Sequence, residues 1–468
     1  MGKGMERLVR NPEKSLFLLA TAVRLSLVWM LVGPYASGVY TYEHGEIAGN
    51  LLAGRGFSVK LLGTWGPTSQ QAPLVPFLLA GCYAMLGVGT SAAIWLFLGL
   101  QCIEGGLTAV GARRLSARAG LSLVFANLAG LGAAFFPPLV YSASHVQVAS
   151  TACLLLVWLF DSLMQLRNEP KMRNALKAAI LMALAVLTDP ILVLSGVATT
   201  FCWITFDRPA QKMEFVRLVK SWTVLVFCSV LLISPWLFRG YRVHGRPVFI
   251  KSTFGYAFWQ GNNRLSVGTD KVMRESVQAK LAEGGSSLAG LDKKLWEARH
   301  AAGCIDDIAL MDTQKKELGQ LPELERSNAL FHWAIADLQA EPGRYFRLCQ
   351  RRMQYFLWID ESNPKTASLF YQIPQKVFVI ASAIAFIIMP ATIRRQMQPV
   401  IIAFALTAVF HAATITAPRF HLPWEVLLMT CISAGLQQLA IQMKVVELRL
   451  FSDKPVKGGY ARSSEIQT

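Results

Sequence analysis

An all-α membrane protein is the fold class this sequence predicts, and three observations predict it. The chain of 468 residues is 53% hydrophobic but only 16% charged, where a soluble chain carries about a quarter charged residues. Its apolar residues come in blocks of roughly twenty, the length a helix needs to cross about 30 Å of hydrocarbon at 1.5 Å per residue. Its Lys and Arg gather in the short connectors between those blocks, where the positive-inside rule puts them.

Taken in order, the blocks predict about ten transmembrane helices, at 15–35, 91–112, 119–138, 146–166, 175–189, 190–206, 221–238, 376–393, 399–416 and 424–443. The first block lacks a short apolar core followed by a small-residue cleavage site, so it reads as a retained signal-anchor helix. Pro190, after Thr188 and Asp189, breaks two short spans apart.

Segment 73–89 is apolar but short, and Pro73 and Pro76 stand at its start. If it does not span, one face collects Lys14, Arg113, Arg114, Arg118, Arg167, Lys171, Arg217, Lys220, Arg394 and Arg395, together with the basic tail. If it spans, every later connector changes sides and that asymmetry collapses. Segment 73–89 is therefore expected to be an interfacial or re-entrant helix on the outer face, with both termini in the cytoplasm.

The expected organisation is an N-terminal transmembrane module over 1–238 carrying a first outer loop at 36–90, and a mostly helical extracytoplasmic segment at 239–375. C-terminal transmembrane helices at 376–443 and a cytoplasmic tail at 444–468 follow. In the extracytoplasmic segment, Pro342 and Gly343 separate two short helices. Leu330, Trp333, Ala334 and Leu338 recur at helical spacing, which predicts a face resting on the membrane core.

The net charge of +17 invites a nucleic-acid reading. The basic residues line membrane connectors and interleave with no aromatic surface, so no nucleic-acid partner is expected. Of the eight cysteines, five sit in apolar blocks as small hydrophobes, and no CxxC or Cys/His spacing suggests a metal site. Cys304 and Cys349 share the long polar segment and read either as two free thiols or as a pair. No Walker loop, Rossmann glycine pattern, HExxH or GxSxG is present, so neither a cofactor nor a metal is expected.

Chemistry-bearing residues concentrate in two outer places. The first outer loop holds two acidic residues, Glu43 and Glu46, in YTYEHGEIAGNLLAGRGFS. On a helical wheel they share an arc with Asn50, beside an apolar arc of Ile47, Ala48, Leu51 and Leu52. This predicts a short amphipathic helix on the bilayer that offers two carboxylates to the water above it; a merely solvated polar face would look the same. At the outer end of the seventh span, Arg239, Arg242, Arg246 and Lys251 run against the positive-inside trend. They read either as snorkelling side chains or as a cationic site for a phosphate at headgroup depth. Arg419, in TAPRFHLPWE, is a second outer cation.

Three further residues are noticeable. Arg24 lies inside the first span, where a central Arg costs about 2.5–3.5 kcal/mol, so it is expected to face the bundle interior with a partner; it is read as the ionisable residue at mid-membrane. Asp189 stands at a helix end as a cap, and His145 lies beyond Pro137 and Pro138.

Order and spacing then resemble a known group, the C-type-fold polytopic glycosyltransferases, on the bacterial family-39-like side of the protein O-mannosyltransferases and aminoarabinose transferases. The resemblance rests on the run from Ile47 to Ser58 after an acidic residue and on Gly66-Pro67-Thr68 before an interfacial helix. It continues through Pro235, Trp236, Arg239 and Tyr241, the Gly261-Asn262-Asn263 run, and Arg419, Phe420 and Pro423. It covers about residues 15–435. It implies a sugar donor carried on a polyprenyl phosphate, an extracytoplasmic site, inversion in a single displacement, and a glycan, lipid or protein acceptor. It implies Glu43 as general base with Glu46 in reserve, although better-known relatives carry Asp. Arg239, Arg242, Arg246, Lys251 and Arg419 fall to the lipid phosphate, and Arg55, His145, Tyr241, Asn262 and Asn263 to the substrate pocket. A transporter or flippase of a lipid-linked sugar is the alternative; it predicts mid-membrane ionisable residues and paired broken helices. A scaffold with a decayed site is a third reading.

Overall fold

The computed structural model describes residues 11–61, 64–206, 212–269, 310–363, 366 and 368–452. Cys304, the terminal basic residues 3–10 and 453–468, and part of the predicted extracytoplasmic segment lie outside them.

Each segment predicted to span is occupied by a helix. They are α1 (Pro12–Val32), α4 (Ser91–Arg118), α5 (Leu123–Phe135), α7 (Ala149–Asn168), α8 (Met172–Thr188), α9 (Leu194–Thr205), α10 (Lys212–His244), α15 (Leu369–Ile388), α16 (Ala391–Ala413) and α17 (Leu422–Ser452). Among the described residues, seven are long and apolar enough to cross a membrane; α5, α9 and the interfacial candidate α3 (Leu74–Leu86) are shorter apolar helices. The chain is a multi-pass, all-α membrane protein. The first outer loop supplies α2 (Tyr42–Leu52), and α6 (Pro137–Ser142) follows α5. An antiparallel hairpin, β1 (Ser58–Leu61) with β2 (Thr64–Pro67), pairs Ser58 with Pro67 and Leu61 with Thr64; the sequence reading missed it because both strands are only four residues long.

Small residues bring the bundle helices close. On α5, Ala126, Ala129, Gly130, Ala133 and Ala134 are buried, and such faces let backbones approach where lipid supplies no hydrophobic drive. Arg24 exploits this. It is 2% exposed, donating to the carbonyls of Ala133 at 2.9 Å and Ala134 at 3.2 Å. Those carbonyls close α5, where a helix C-terminus carries partial negative charge. A Cβ on Gly105 would come within 2.0 Å of the Arg24 Nε, so α4 has a glycine where the guanidinium crosses it. The predicted interior partner of Arg24 is thus a helix end.

The bundle has two distinct faces. On one, Glu13 bridges Arg113 at 2.8 Å and Arg114 at 2.6 Å, Arg118 pairs with Asp161 at 2.7 Å, and Arg395 donates to the Phe206 carbonyl at 2.9 Å. These contacts tie the basic end of α4 to α1 and α7, and the start of α16 to the end of α9. The first outer loop and the segment after α10 gather at the opposite end.

There, α11 (Phe254–Asn262), α12 (Asp312–Gly319), α13 (Glu323–Ala340) and α14 (Pro342–Leu357) form the cap. The apolar stripe of α13 was expected to lie on the membrane core. Instead Leu330, Ala334 and Leu338 form a separate cluster with Phe258 and Trp259 of α11 and Leu318 of α12. Gly255 makes this possible, since a Cβ there would sit 2.1 Å from the Ser327 carbonyl oxygen. The core contact comes from α14, whose Phe356 is 1% exposed and stacks near Phe404 of α16.

Candidate active site

Three chain segments meet at the cap end through buried polar contacts. Glu323, in the first turn of α13, accepts from Thr68 Oγ1 at 2.5 Å, from the Ser69 amide at 2.8 Å and from Ser252 Oγ at 2.6 Å. The Ser252 amide in turn donates to the Ser69 carbonyl at 2.9 Å. Thr68 and Ser69 are fully buried, so without Glu323 these donors would lose their acceptor in a dry place. The turn after β2 is thereby fixed to the segment that carries Lys251.

Arg239 belongs to the same knot. Its Nη1 donates to the Thr68 carbonyl at 2.5 Å and to Ser69 Oγ at 3.0 Å, and its Nη2 donates to the Phe57 carbonyl at 2.9 Å. The guanidinium lies over the rings of Trp236 at 4.8 Å and Phe57 at 5.2 Å. Carbonyls of the first outer loop occupy the fork that the sequence reading assigned to a phosphate.

Lys251 and Arg419 are instead both within electrostatic reach of His44 on α2. His44, one residue after Glu43, is 6% exposed. Burial pushes its imidazole down to about 3, and the nearby positive charges of Lys251 and then Arg419 push the same way. Its Nδ1 is buried with no hydrogen-bond partner among the described residues. The turn that carries Glu43 and His44 is thus within electrostatic reach of two cations from distant parts of the chain. The Arg419 guanidinium rests over the Phe420 ring at 4.9 Å.

Both approaches use strained backbone. Tyr42, before Glu43, has φ 51°, and Ile250, before Lys251, has φ 59°. A left-handed β-branched residue is an outlier that only its surroundings can hold. For Ile250 the hold is visible: its side chain is fully buried and its carbonyl accepts from Trp236 Nε1 at 2.9 Å.

The other predicted residues fall as follows. Glu46 Oε1 accepts from the Lys60 amide at 2.7 Å, tying α2 to β1, whereas no hydrogen bond or ion pair restrains the Glu43 carboxylate among the described residues. Asn50 turns inward, 2% exposed, and donates to the Ser58 carbonyl at 2.8 Å. Arg55 is exposed and covers the Trp65 ring at 4.9 Å. Arg242, Arg246 and Tyr241 are exposed. The His145 ring contacts Ser144 Oγ at 3.0 Å and the edge of Tyr141. Asn262 and Asn263 are buried as anchors of the cap: Arg352, fully buried, donates to the carbonyls of Gly261 at 2.7 Å and Ala412 at 2.6 Å and to Asn262 Oδ1 at 3.1 Å. Arg344 donates to the carbonyls of Asn262 and Asn263. Asp189 takes the N-cap position expected of it, without a side-chain cap bond. Cys349 Sγ accepts from Arg352 Nη2 at 3.4 Å.

Sequence reasoning missed several polar residues. Arg24 is not the lone ionisable residue within the spans, because Glu104, Asp161 and Glu425 also lie on spanning helices. Glu104 accepts from Thr151 Oγ1 at 3.0 Å. His44 was hidden by its place on the inner arc of α2, though its position next to Glu43 was the available signal.

No family model matches the chain, and no curated protein sequence matches it. Solved structures do. The chain is similar to the archaeal oligosaccharyltransferase AglB of Archaeoglobus fulgidus in complex with an inhibitory peptide and a dolichol-phosphate, with 12% identity over 97% of this chain and 53% of that one and a TM-score of 0.51. The oligosaccharyltransferase of the same organism tethered to an acceptor peptide gives 10% identity, 95% and 51% coverage and a TM-score of 0.54. ArnT from Cupriavidus metallidurans bound to undecaprenyl phosphate gives 14% identity, 92% and 79% coverage and a TM-score of 0.40. The chain spans about half the length of the oligosaccharyltransferases it matches. The fold is that of the C-type polytopic glycosyltransferases.

Proposed function

We propose that this protein is a membrane glycosyltransferase that moves a sugar from a polyprenyl-phosphate carrier to an acceptor hydroxyl on the extracytoplasmic side, with inversion. The observation that carries this reading is that Lys251 and Arg419, from distant parts of the chain, both lie within electrostatic reach of the buried His44 beside Glu43. A polyprenyl tail stays in lipid while its phosphate sits at the interface. Two cations at that depth stabilise the charge that grows on the phosphate as the glycosidic bond breaks. Glu43, unrestrained among the described residues, takes the proton of the attacking hydroxyl, and the nucleophile displaces the phosphate from the opposite face of the sugar. The dolichol-phosphate in the AglB complex supports a lipid-phosphate donor.

Among the cations, Lys251 and Arg419 bind the phosphate, with Arg242 and Arg246 available at the rim. Arg239 holds the loop that carries the base. Sequence-facing parts of the acceptor meet the cap of α11 to α14. The protein groups supply leaving-group stabilisation themselves, and the partners are the lipid-linked donor, a glycan, lipid or protein acceptor, and the bilayer.

Glu104 favours one second reading, transport of the same lipid, since a carboxylate in a span is what a transporter would use. Asp161 offers less to that reading, being paired with Arg118. A density map of the protein with undecaprenyl phosphate tests the leading proposal. A phosphate between Lys251 and Arg419, facing Glu43, is expected; a phosphate bound beside Glu104 instead would overturn it.

A further inference from the structure

One buried polar cluster takes no part in that chemistry. Gln375 of α15 is 2% exposed, and Glu425 of α17 and His421 before it are each 3% exposed. Gln375 Nε2 donates to Glu425 Oε1 at 2.7 Å, and His421 Nδ1 meets the same oxygen at 2.9 Å. Both contacts use one carboxylate oxygen. The other, Oε2, is buried without a partner among the described residues, and so is Gln375 Oε1. A carboxylate and an amide thus each keep an acceptor in reserve within one cluster, and leaving such acceptors dry is unfavourable.

The cluster adjoins the phosphate site. His421 lies two residues beyond Arg419, and both groups are within electrostatic reach of His411. Tyr371, on the same helix as Gln375, lies within electrostatic reach of Glu425. The edge of Phe356 approaches His421, with ring centroids 6.0 Å apart. Unused acceptors beside phenyl and phenol rings suit a ligand rich in hydroxyl donors and carbon-bound hydrogen. A sugar joined to a phosphate held by Arg419 is such a ligand.

We infer that Glu425 Oε2 and Gln375 Oε1 form the subsite that accepts hydrogen bonds from hydroxyls of the transferred sugar, with His421 holding the carboxylate in place. This rests on the lipid-phosphate reading above and deepens it. Glu425 and Gln375 would then govern which sugar is used, while Lys251 and Arg419 would bind any polyprenyl phosphate. No bond is made or broken at the subsite.

The test compares undecaprenyl phosphate with undecaprenyl phosphates carrying mannose, glucose or galactose, by equilibrium binding to purified protein in nanodiscs. Wild type should hold at least one sugar-bearing lipid tenfold or more tighter than the bare lipid. In Glu425→Gln and in Gln375→Met that preference should fall to near unity while the affinity for bare undecaprenyl phosphate stays within twofold. A preference that survives in both variants overturns the subsite, as does a wild type that ranks all four lipids equally. A parallel loss for bare and sugar-bearing lipids also overturns it, because a purely structural cluster would act that way. Wild type that binds none of the lipids instead overturns the lipid-phosphate reading itself. Melting temperatures of both variants, within a few degrees of wild type, show that the comparison is made on folded protein.

Discussion

Tyr42 and Ile250 are the two non-glycine residues with left-handed backbone among those described, and each stands one position before a residue assigned to the chemistry, Glu43 and Lys251. Strain of this kind costs about 1–3 kcal/mol per residue and survives where the surroundings over-determine it. It sets the direction in which the Glu43 and Lys251 side chains leave their two segments. Tyr42→Gly relieves the torsion and frees the aim of Glu43. Turnover should fall by about tenfold or more, the equivalent of 1.4 kcal/mol or more in barrier, while the melting temperature does not fall in step. Steady-state transfer rates alongside thermal unfolding check this; a rate loss matched by a large stability loss would contradict it.

The Glu323 clamp should be stabilising and local. Glu323→Ala leaves the Thr68 hydroxyl, the Ser69 amide and the Ser252 hydroxyl without their acceptor, at a cost of about 1–3 kcal/mol for each donor left dry. Relaxation and water entry will reduce the sum. Limited proteolysis should find new cleavage near residues 64–72 before the transmembrane bundle unfolds. Unchanged protease resistance would show that the knot does not hold the loop.

His44 gives the account a pH dependence whose sign can be worked out. The imidazole sits at about 3 in the fold and near 6.5 in an unfolded chain. Between those values the unfolded state binds the extra proton, so stability rises with pH there. The contribution is fully present above about pH 6.5 and is lost as pH falls towards 3. His44→Gln should flatten the acid limb of a melting-temperature profile, and an identical acid limb in wild type and variant would refute the assignment. The imidazole is neutral at ordinary pH, so the variant should not shift the neutral-to-basic limb.

Arg24 and Gly105 should behave as one unit. Gly105→Ala puts a methyl group where the guanidinium crosses α4 and should destabilise the protein, whereas adding Arg24→Met should recover part of the loss. Contacting residues show coupling of about 0.5–3 kcal/mol. A double-mutant cycle in detergent gives the number, and strict additivity would mean that the two do not touch.

The order of the spans was legible because apolar blocks and basic connectors act one segment at a time, and hydropathy reads each of them. A 13-residue helix occupies segment 73–89, shorter than the seven helices long enough to cross. The roles of single polar residues were less so. Arg239 carries the charge of a phosphate ligand, yet the carbonyls of Phe57 and Thr68 that occupy it lie far back in the chain and become neighbours only in the fold. Asn262 and Asn263 read as pocket residues by motif and prove to be anchors for Arg344 and Arg352, which approach from α14. Glu425 was in plain view beside Arg419, but its unused oxygen exists only because Gln375 and His421 both choose the other one. The stripe on α13 had the right period and the wrong partner, since periodicity names a buried face without naming what covers it.

The central claim is that Glu43 takes the proton of an acceptor hydroxyl beside a lipid phosphate held by Lys251 and Arg419. The most direct measurement is sugar transfer from a polyprenyl-phosphate sugar by purified Glu43→Gln protein, with binding of undecaprenyl phosphate measured on the same sample and Glu46→Gln in parallel. The account predicts that transfer falls by about 10²–10⁴-fold in Glu43→Gln, with lipid affinity unchanged and a much smaller loss in Glu46→Gln. Transfer by Glu43→Gln at the wild-type rate would contradict it.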